Sequence, residues 1–252
     1  MKKLLLGLTF LSVGFLVACG SEESTTSTKV EGQETKSNTE QTEEVKAEAN
    51  IEVAQETYGA WTDSIDSVWV HYSAEIVNKG EESASIGDIQ VNFEGTDGSV
   101  LGTDTMLSAT PGIIQPGETA YITTSTTLDG YAETDFAKAS LNVDFDSVSE
   151  KAQVLKADAV KIVDLSADEY AYSPYMVTGT IINDSGEKAD DIRIASGLYD
   201  AEGKLLGVLD GSLDVSLNTD GKAGFELSYP ELPKGIAGKA TEVKVKVYNW
   251  SF

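Results

Sequence analysis

Hydrophobic and polar residues alternate in many short segments between residues 51 and 252. The clearest segment alternates between two rows, namely Val68, Val70, Tyr72, Ala74 and Ile76, and Trp69, His71, Ser73, Glu75 and Val77. A period of two is the spacing of a β-strand that buries one face. Similar rows occur at Ile89, Val91 and Phe93, at 121–128, at Leu141, Val143 and Phe145, at 160–165, at Phe225, Leu227 and Tyr229, and at Val243, Val245 and Val247. Only residues 134–139 suggest a brief helical turn.

Turn residues separate these predicted strands. Glycine adopts positive φ easily, and Asp and Asn side chains bond to their own backbone. Such residues occur at 78–80, 96–98, 116–117, 184–186, 202–203 and 220–221. Short strands between regular turns predict an all-β fold of antiparallel, immunoglobulin-like β-sandwiches.

Two parts of the chain resemble each other at a spacing of 105 residues. Ile76-Val77-Asn78 corresponds to Ile181-Ile182-Asn183, and Leu101-Gly102 corresponds to Leu206-Gly207. A shift of one residue then aligns Pro116-Gly117-Glu118 with Asp220-Gly221-Lys222, as a loop deletion would. The repeat predicts two tandem sandwiches, at residues 51–150 and 151–252.

The first 50 residues have a different composition. Lys2 and Lys3 precede an uncharged apolar run at 4–18, which is typical of a secretory signal peptide and too short to span a bilayer comfortably. Residues 20–50 are mostly Ser, Thr, Glu, Gln, Lys and Asn. Such a segment buries too little apolar surface to offset the entropy of ordering, so we expect a disordered tether.

The apolar run ends in Leu16-Val17-Ala18-Cys19, which resembles the lipobox of bacterial lipoproteins. The resemblance implies that residues 1–18 are removed, that Cys19 is diacylated, and that residues 19–50 begin a lipid-anchored chain outside the cell membrane. Two acyl chains anchor a protein stably. Cys19 is the only cysteine, so it has no disulfide partner in the chain. We expect a lipoprotein of the Gram-positive type. The alternatives are an outer-membrane lipoprotein and an ordinary signal peptide.

The second repeat contains Ser196-Gly197-Leu198-Tyr199-Asp200-Ala201-Glu202-Gly203, which resembles the signature of the FxLYD domain. This family is an immunoglobulin-like sandwich of bacterial surface lipoproteins with no general biochemical function. Gly197 stands where the family has Phe, and Asn92-Phe93-Glu94 makes the first repeat a degenerate copy. We expect Leu198 in the core and Asp200 with Gly203 in a hairpin turn. A packing role is expected for Tyr199, with a binding role for Tyr199 and Asp200 as the alternative.

Acidic residues outnumber basic residues by 42 to 18. The predicted first sandwich has a net charge of −16, and the second has −5. Nucleic acid is excluded as a partner because its binding requires Lys and Arg, and Arg193 is the only arginine. Anionic lipid headgroups should also repel the first sandwich.

The acidic first sandwich raises the hypothesis of a calcium site. Calcium binds where six to eight oxygens converge. The candidate ligands are Asp63, Asp66, Asp88, Asp97, Asp104, Asp144 and Asp146. No segment has the spacing of a known calcium loop, so no metal or other cofactor is predicted, and solubility outside the cell accounts for the charge.

Residues that could support catalysis are scarce. His71 is the only histidine, and no second His or Cys is present to complete a zinc site or a cysteine nucleophile outside the lipobox. We expect His71 to be a partly exposed strand residue. The chain has neither a Gly-x-Ser-x-Gly elbow nor a phosphate-binding P-loop, so no enzyme and no small-molecule substrate are predicted.

Aromatic and related side chains lie near the predicted domain boundaries, at Tyr58, Trp61, Trp69, Tyr170, Tyr172, Tyr175, Met176, Tyr248, Trp250 and Phe252. Such residues fill cores and domain seams, and they also form binding hot spots. We expect core or seam positions, with a contact surface as the alternative. The predicted function is a non-catalytic binding module at the cell envelope, with a protein or envelope polymer as partner. The alternative is a structural spacer or accessory subunit of an envelope complex.

Overall fold

The computed structural model describes residues 48–168 and 171–250. The predicted signal peptide, Cys19, most of the predicted tether, Tyr170 and Phe252 lie outside the described residues. Within those two ranges, no helix is long and apolar enough to cross a bilayer.

The first half of the described chain, residues 48–148, contains seven strands. They are β1 (Ile51–Thr62), β2 (Val68–Asn78), β3 (Ser83–Gly95), β4 (Val100–Asp104), β5 (Ile113–Ile114), β6 (Thr119–Thr127) and β7 (Phe136–Val148). A 3-10 helix at Glu133–Asp135 precedes β7, and Asp135 Oδ2 accepts a hydrogen bond from Ala132 N at 2.8 Å. The expected helical turn at 134–139 is therefore wrong beyond Asp135, because β7 pairing with β3 keeps the following backbone extended.

The second half, residues 153–250, contains the other seven described strands. They are β8 (Gln153–Val154), β9 (Lys156–Asp164), β10 (Tyr175–Ile182), β11 (Ile192–Tyr199), β12 (Leu205–Leu213), β13 (Lys222–Leu227) and β14 (Glu242–Asn249). A 3-10 helix lies at Lys234–Ile236.

Each half contains two antiparallel sheets in which six strands pair in the same pattern, whereas β5 of the first half and β8 of the second half have no counterpart strand in the other half. In the first half, β2 lies between β1 and β6, while β3 pairs with β4, β5 and β7. In the second half, β10 lies between β9 and β13, and the other sheet has the order β12-β11-β14-β8. The prediction of an all-β fold built from antiparallel sheets is confirmed.

A separate hydrophobic cluster lies between the two sheets of each half. In the first half, Tyr72 and Ile76 of β2 share a cluster with Val91 and Phe93 of β3. In the second half, β10 and β11 contribute equivalent buried side chains, and Leu198 is fully buried among them as expected. Both halves are therefore sandwich-like, with the core between two layers.

A buried asparagine makes the same hydrogen bonds in both halves. The bonds run from Asn78 Nδ2 to the carbonyl oxygens of Glu82 (2.7 Å) and Ile114 (2.8 Å), and from Asn183 Nδ2 to those of Glu187 (2.7 Å) and Leu217 (2.8 Å). Glu82 and Glu187 are 105 residues apart in the sequence, whereas Ile114 and Leu217 are 103 residues apart. The intervening segment is thus two residues shorter in the second half, which corrects the expected shift of one residue.

Both faces of β2 are covered, although alternation predicted one buried face. Its inner row faces the first-half core, and His71 and Ser73 on its other row are also buried. The expectation of a partly exposed His71 is wrong, because the second half packs on this outer face. All described residues belong to one compact unit.

Candidate functional site

Hydroxyl side chains of the first half bond to Val208 on the outer edge of β12 in the second half. Val208 N donates to Ser73 Oγ at 3.0 Å, and Thr123 Oγ1 donates to Val208 O at 3.1 Å. Ser73 Oγ and Thr123 Oγ1 lie 2.8 Å apart, so the two hydroxyls also bond to each other. Gln55 adds a further contact, since its Oε1 accepts a hydrogen bond from Leu205 N at 2.9 Å. These bonds satisfy backbone groups that no neighbouring strand pairs.

Two buried tyrosines meet at the centre of the interface. The hydroxyls of Tyr121 and Tyr199 lie 2.7 Å apart, and Tyr199 donates to Glu75 Oε2 at 3.0 Å. Burial raises the pKa of both tyrosines, so their hydroxyls stay protonated. Lys244 and Lys246 of β14 lie 4.3 and 5.6 Å from the Tyr199 and Tyr121 ring centroids, respectively. Cation–π attraction therefore adds to the hydrogen bonds.

Gly197 lies directly beneath the ring of Tyr121. A Cβ atom at this position would lie 2.8 Å from the ring of Tyr121, well inside van der Waals contact. The missing side chain leaves room for an aromatic ring from the first half.

The two predicted signature residues have structural roles. Tyr199 is fully buried in the interface. Asp200 Oδ1 accepts hydrogen bonds from Glu202 N at 3.0 Å and Lys204 N at 2.8 Å, and Gly203 has a φ of +78°. The hairpin turn expected from Asp200 and Gly203 is confirmed.

Two titratable groups, the buried His71 and the partly buried Asp210, lie on β2 and β12, which meet at this interface. Burial lowers the pKa of His71 to about 4. No ring nitrogen of His71 has a hydrogen-bond partner among the described residues. Burial raises the pKa of Asp210 to about 7, against the opposing charge of Arg193. Both groups therefore favour their neutral forms.

A cleft of about 680 Å³ opens where the two halves meet at the end of β1. Its volume is in the range of ligand-binding sites. The first half contributes Ala60, Trp61, Thr62, Asp63, Ser64, Trp69 and Glu133, and the second half contributes Ala171, Tyr172, Glu231, Pro233, Lys234 and Gly235. A second crevice between the halves is smaller, about 250 Å³, and Lys151 is its only charged lining residue among the described residues.

Two tryptophans form an aromatic wall of the cleft. Trp61 and Trp69 are directly opposite each other on β1 and β2. Their ring centroids lie 6.2 Å apart with an interplanar angle of 12°, which is an offset-stacked pair. Asp63 fixes the orientation of the Trp69 ring, because its Oδ2 accepts a hydrogen bond from Trp69 Nε1 at 3.0 Å. The same bond and two backbone N–H groups lower the pKa of Asp63, so its carboxylate stays charged.

Two further carboxylates and one tyrosine of the lining come from three separate segments. Glu133 Oε2 accepts a hydrogen bond from Thr62 Oγ1 at 3.2 Å, and Glu231 Oε2 accepts one from Ser125 Oγ at 2.7 Å. Tyr172 is 75% exposed at the rim. The aromatic members were identifiable as boundary residues, whereas Glu133 and Glu231 had no sequence signal because acidic residues are so numerous.

Other predicted candidates are not brought together. No three acidic or histidine side chains among the described residues form a group that could hold a metal ion, which includes the seven aspartates proposed for calcium. Tyr175 is buried, and its hydroxyl donates to Ile236 O at 2.9 Å. Tyr248 is buried between the halves, with its hydroxyl 3.4 Å from Ala109 O. Tyr58 packs edge-on against Phe136 at the surface of the first half.

No protein-family model matches the chain, and no curated protein is similar enough to count as a relative.

Proposed function

We propose that the protein is a lipid-anchored extracellular binding module of the cell envelope, without catalytic activity. In this proposal Cys19 carries the acyl chains, residues 19–50 form a tether, and residues 51–150 and 151–252 form two immunoglobulin-like sandwiches, the second FxLYD-like. The cleft between the halves is the observation that supports binding. Aromatic side chains next to fixed carboxylates are typical of sites that bind a partner.

A structural spacer is the second candidate function. The interface between the halves favours it, because the edge-strand hydrogen bonds and the tyrosine pair fix one half against the other. A spacer would join an envelope complex without using the cleft. The two functions therefore differ in whether cleft side chains contact a partner.

Photo-crosslinking on intact cells tests the binding function. The full chain carries a photoreactive amino acid in place of Tyr172, or in place of Phe145 as a control, since Phe145 is 37% exposed on β7 and does not line the cleft. We expect a covalent adduct from position 172 that is lost when Trp61→Ala is added. Equal adducts from both positions, or an adduct that survives Trp61→Ala, would favour the spacer.

Palmitate labelling tests the anchor separately. We expect radiolabelled palmitate to enter the natural chain and not the Cys19→Ser variant. Absence of label from the natural chain would contradict the lipid anchor while leaving the cleft experiment interpretable.

A further inference from the structure

We propose that the cleft binds a basic segment of a partner polypeptide, through lysine or arginine side chains. The inference rests on the proposed binding function and adds the chemical class of the ligand.

The cleft has an excess of negative charge. Asp63, Glu133 and Glu231 come from three different segments, and Lys234 is the only basic residue among the described lining residues. Asp63 is held in place by its hydrogen bonds to Trp69 Nε1 and to two backbone N–H groups. A cationic group entering the cleft would meet carboxylates already in position, so little side-chain entropy would be lost.

The aromatic wall favours the same kind of ligand. The faces of an indole ring carry negative electrostatic potential and attract ammonium and guanidinium groups. Trp61 and Trp69 stack on each other and remain partly exposed beside the carboxylates. The interface already shows this chemistry, because Lys244 lies 4.3 Å from the Tyr199 ring centroid. A neutral sugar would use the aromatic faces and gain nothing from the net charge.

A polypeptide fits the charge distribution better than a single amine. The acidic groups belong to both halves, and the net charge of −16 at residues 51–150 extends the negative field beyond the cleft. Several positive charges on one chain would be attracted over this distance and would bind with a higher association rate. The charge complementarity therefore points to a basic peptide segment.

Binding of synthetic peptides to the purified full chain in uncharged detergent tests the proposal. The probes are a lysine–glycine hexapeptide, its glutamate counterpart, lysine amide and a neutral N-acetylglucosamine oligomer, each measured by calorimetry and tryptophan fluorescence. We expect the basic peptide alone to bind measurably, with affinity that falls as salt rises. Stronger binding of the oligomer or of lysine amide would overturn the proposal.

Substitutions in the cleft give effects of opposite sign. Glu133→Gln should weaken peptide binding about threefold, and Lys234→Ala should strengthen it about threefold, since each changes one charge at an exposed site. Trp61→Ala should weaken it about fivefold through the lost cation–π contact. The control Asp88→Asn removes an exposed charge on β3 outside the cleft and should change the affinity little. A folding defect could not produce the gain expected from Lys234→Ala, and absence of that gain would contradict the proposal.

The outcomes separate this inference from the function on which it rests. If the Tyr172 adduct forms on cells but the basic peptide does not bind, the cleft contacts a partner of other chemistry and only the inference fails. If neither occurs, both fail.

Discussion

The two halves share a strand plan but use different sheets to meet each other. The first half contributes the outer face of β1-β2-β6, and the second half contributes β11, β12 and β14. Glu94 and Tyr199 are equivalent residues, 105 positions apart, and their surroundings differ accordingly. Glu94 forms an ion pair with Lys138 at 3.1 Å on a partly exposed face, whereas Tyr199 is buried against the first half. Equivalent positions diverge because only one of the two faces is covered.

This comparison shows why equivalent residues of β3 and β11 differ between the halves. The core leucine and the hairpin aspartate serve the sandwich itself, but the tyrosine between them points to the outer face. In the second half that tyrosine meets Tyr121. In the first half the same position is occupied by Glu94, whose carboxylate accepts a hydrogen bond from Ser140 Oγ at 2.7 Å.

Phenylalanine at the equivalent positions Gly197 and Asn92 should destabilise the two halves to very different extents. Gly197→Phe should lower the free energy of unfolding by about 3 kcal/mol or more, because its Cβ alone would overlap the Tyr121 ring. Asn92→Phe should cost less than about 1 kcal/mol, since Asn92 is partly exposed and loses one hydrogen bond with Thr103. Denaturant unfolding of both variants measures the difference. Equal costs would contradict the packing of Tyr121 over Gly197.

The two buried asparagines should behave alike. Asn78→Ala and Asn183→Ala each leave two carbonyl oxygens without their donor, so each should cost about 2 to 3 kcal/mol. Thermal and denaturant unfolding measure the costs. The control Asn142→Ala changes an exposed asparagine on β7 and should have little effect. A much larger cost in one half than in the other would show that the shared geometry is not equally important.

The interface should show two opposing dependences on pH. Between pH 4 and 6.5 the unfolded chain binds a proton at His71 that the folded chain does not, so His71 makes stability rise with pH. Between pH 3.8 and 7 the folded chain holds a proton on Asp210 that the unfolded chain releases, so Asp210 makes stability fall with pH. The two contributions largely cancel in the natural chain.

Single substitutions should reveal each contribution. Between pH 4 and pH 7, the free energy of unfolding of His71→Leu should fall by about 3 kcal/mol relative to that of the natural chain, and that of Asp210→Asn should rise by a similar amount. Urea unfolding at several pH values measures the slopes. Slopes of the same sign in both variants would rule out the assigned protonation states.

The tyrosine pair gives the smallest expected effect. A double-mutant cycle with Tyr121→Phe and Tyr199→Phe should yield a coupling energy of about 1 kcal/mol, the net value of one buried hydrogen bond. Additive single costs would indicate that the hydroxyls act independently. Such additivity would assign the contact energy to ring packing and to the two lysines.

Alternation and turn residues were sufficient to predict the inner rows of β2, β3, β10 and β14 and the shared asparagine turns, whereas Phe145 and Tyr229, which end two other predicted rows, are exposed. They were insufficient for the interface, because a row such as His71 and Ser73 has the polarity of a solvent-facing surface. The hydroxyls of Ser73 and Thr123 can be buried because they bond to the backbone of Val208 on the outer edge of β12. Only part of the cleft was predictable. Trp61 and Trp69 lie opposite each other on adjacent strands of one sheet, whereas Tyr172 and Glu231 reach the cleft because the second half packs against the first.

Strand β1 connects the proposed tether to the proposed binding site. Its first residue, Ile51, pairs with Asn78, and its last, Thr62, lines the cleft. A partner held in the cleft and an anchor ahead of Ile51 would therefore pull on opposite ends of one strand. Because the force would act parallel to β1, the whole ladder with β2 would bear it in shear, which resists mechanical rupture better than opening one bond at a time.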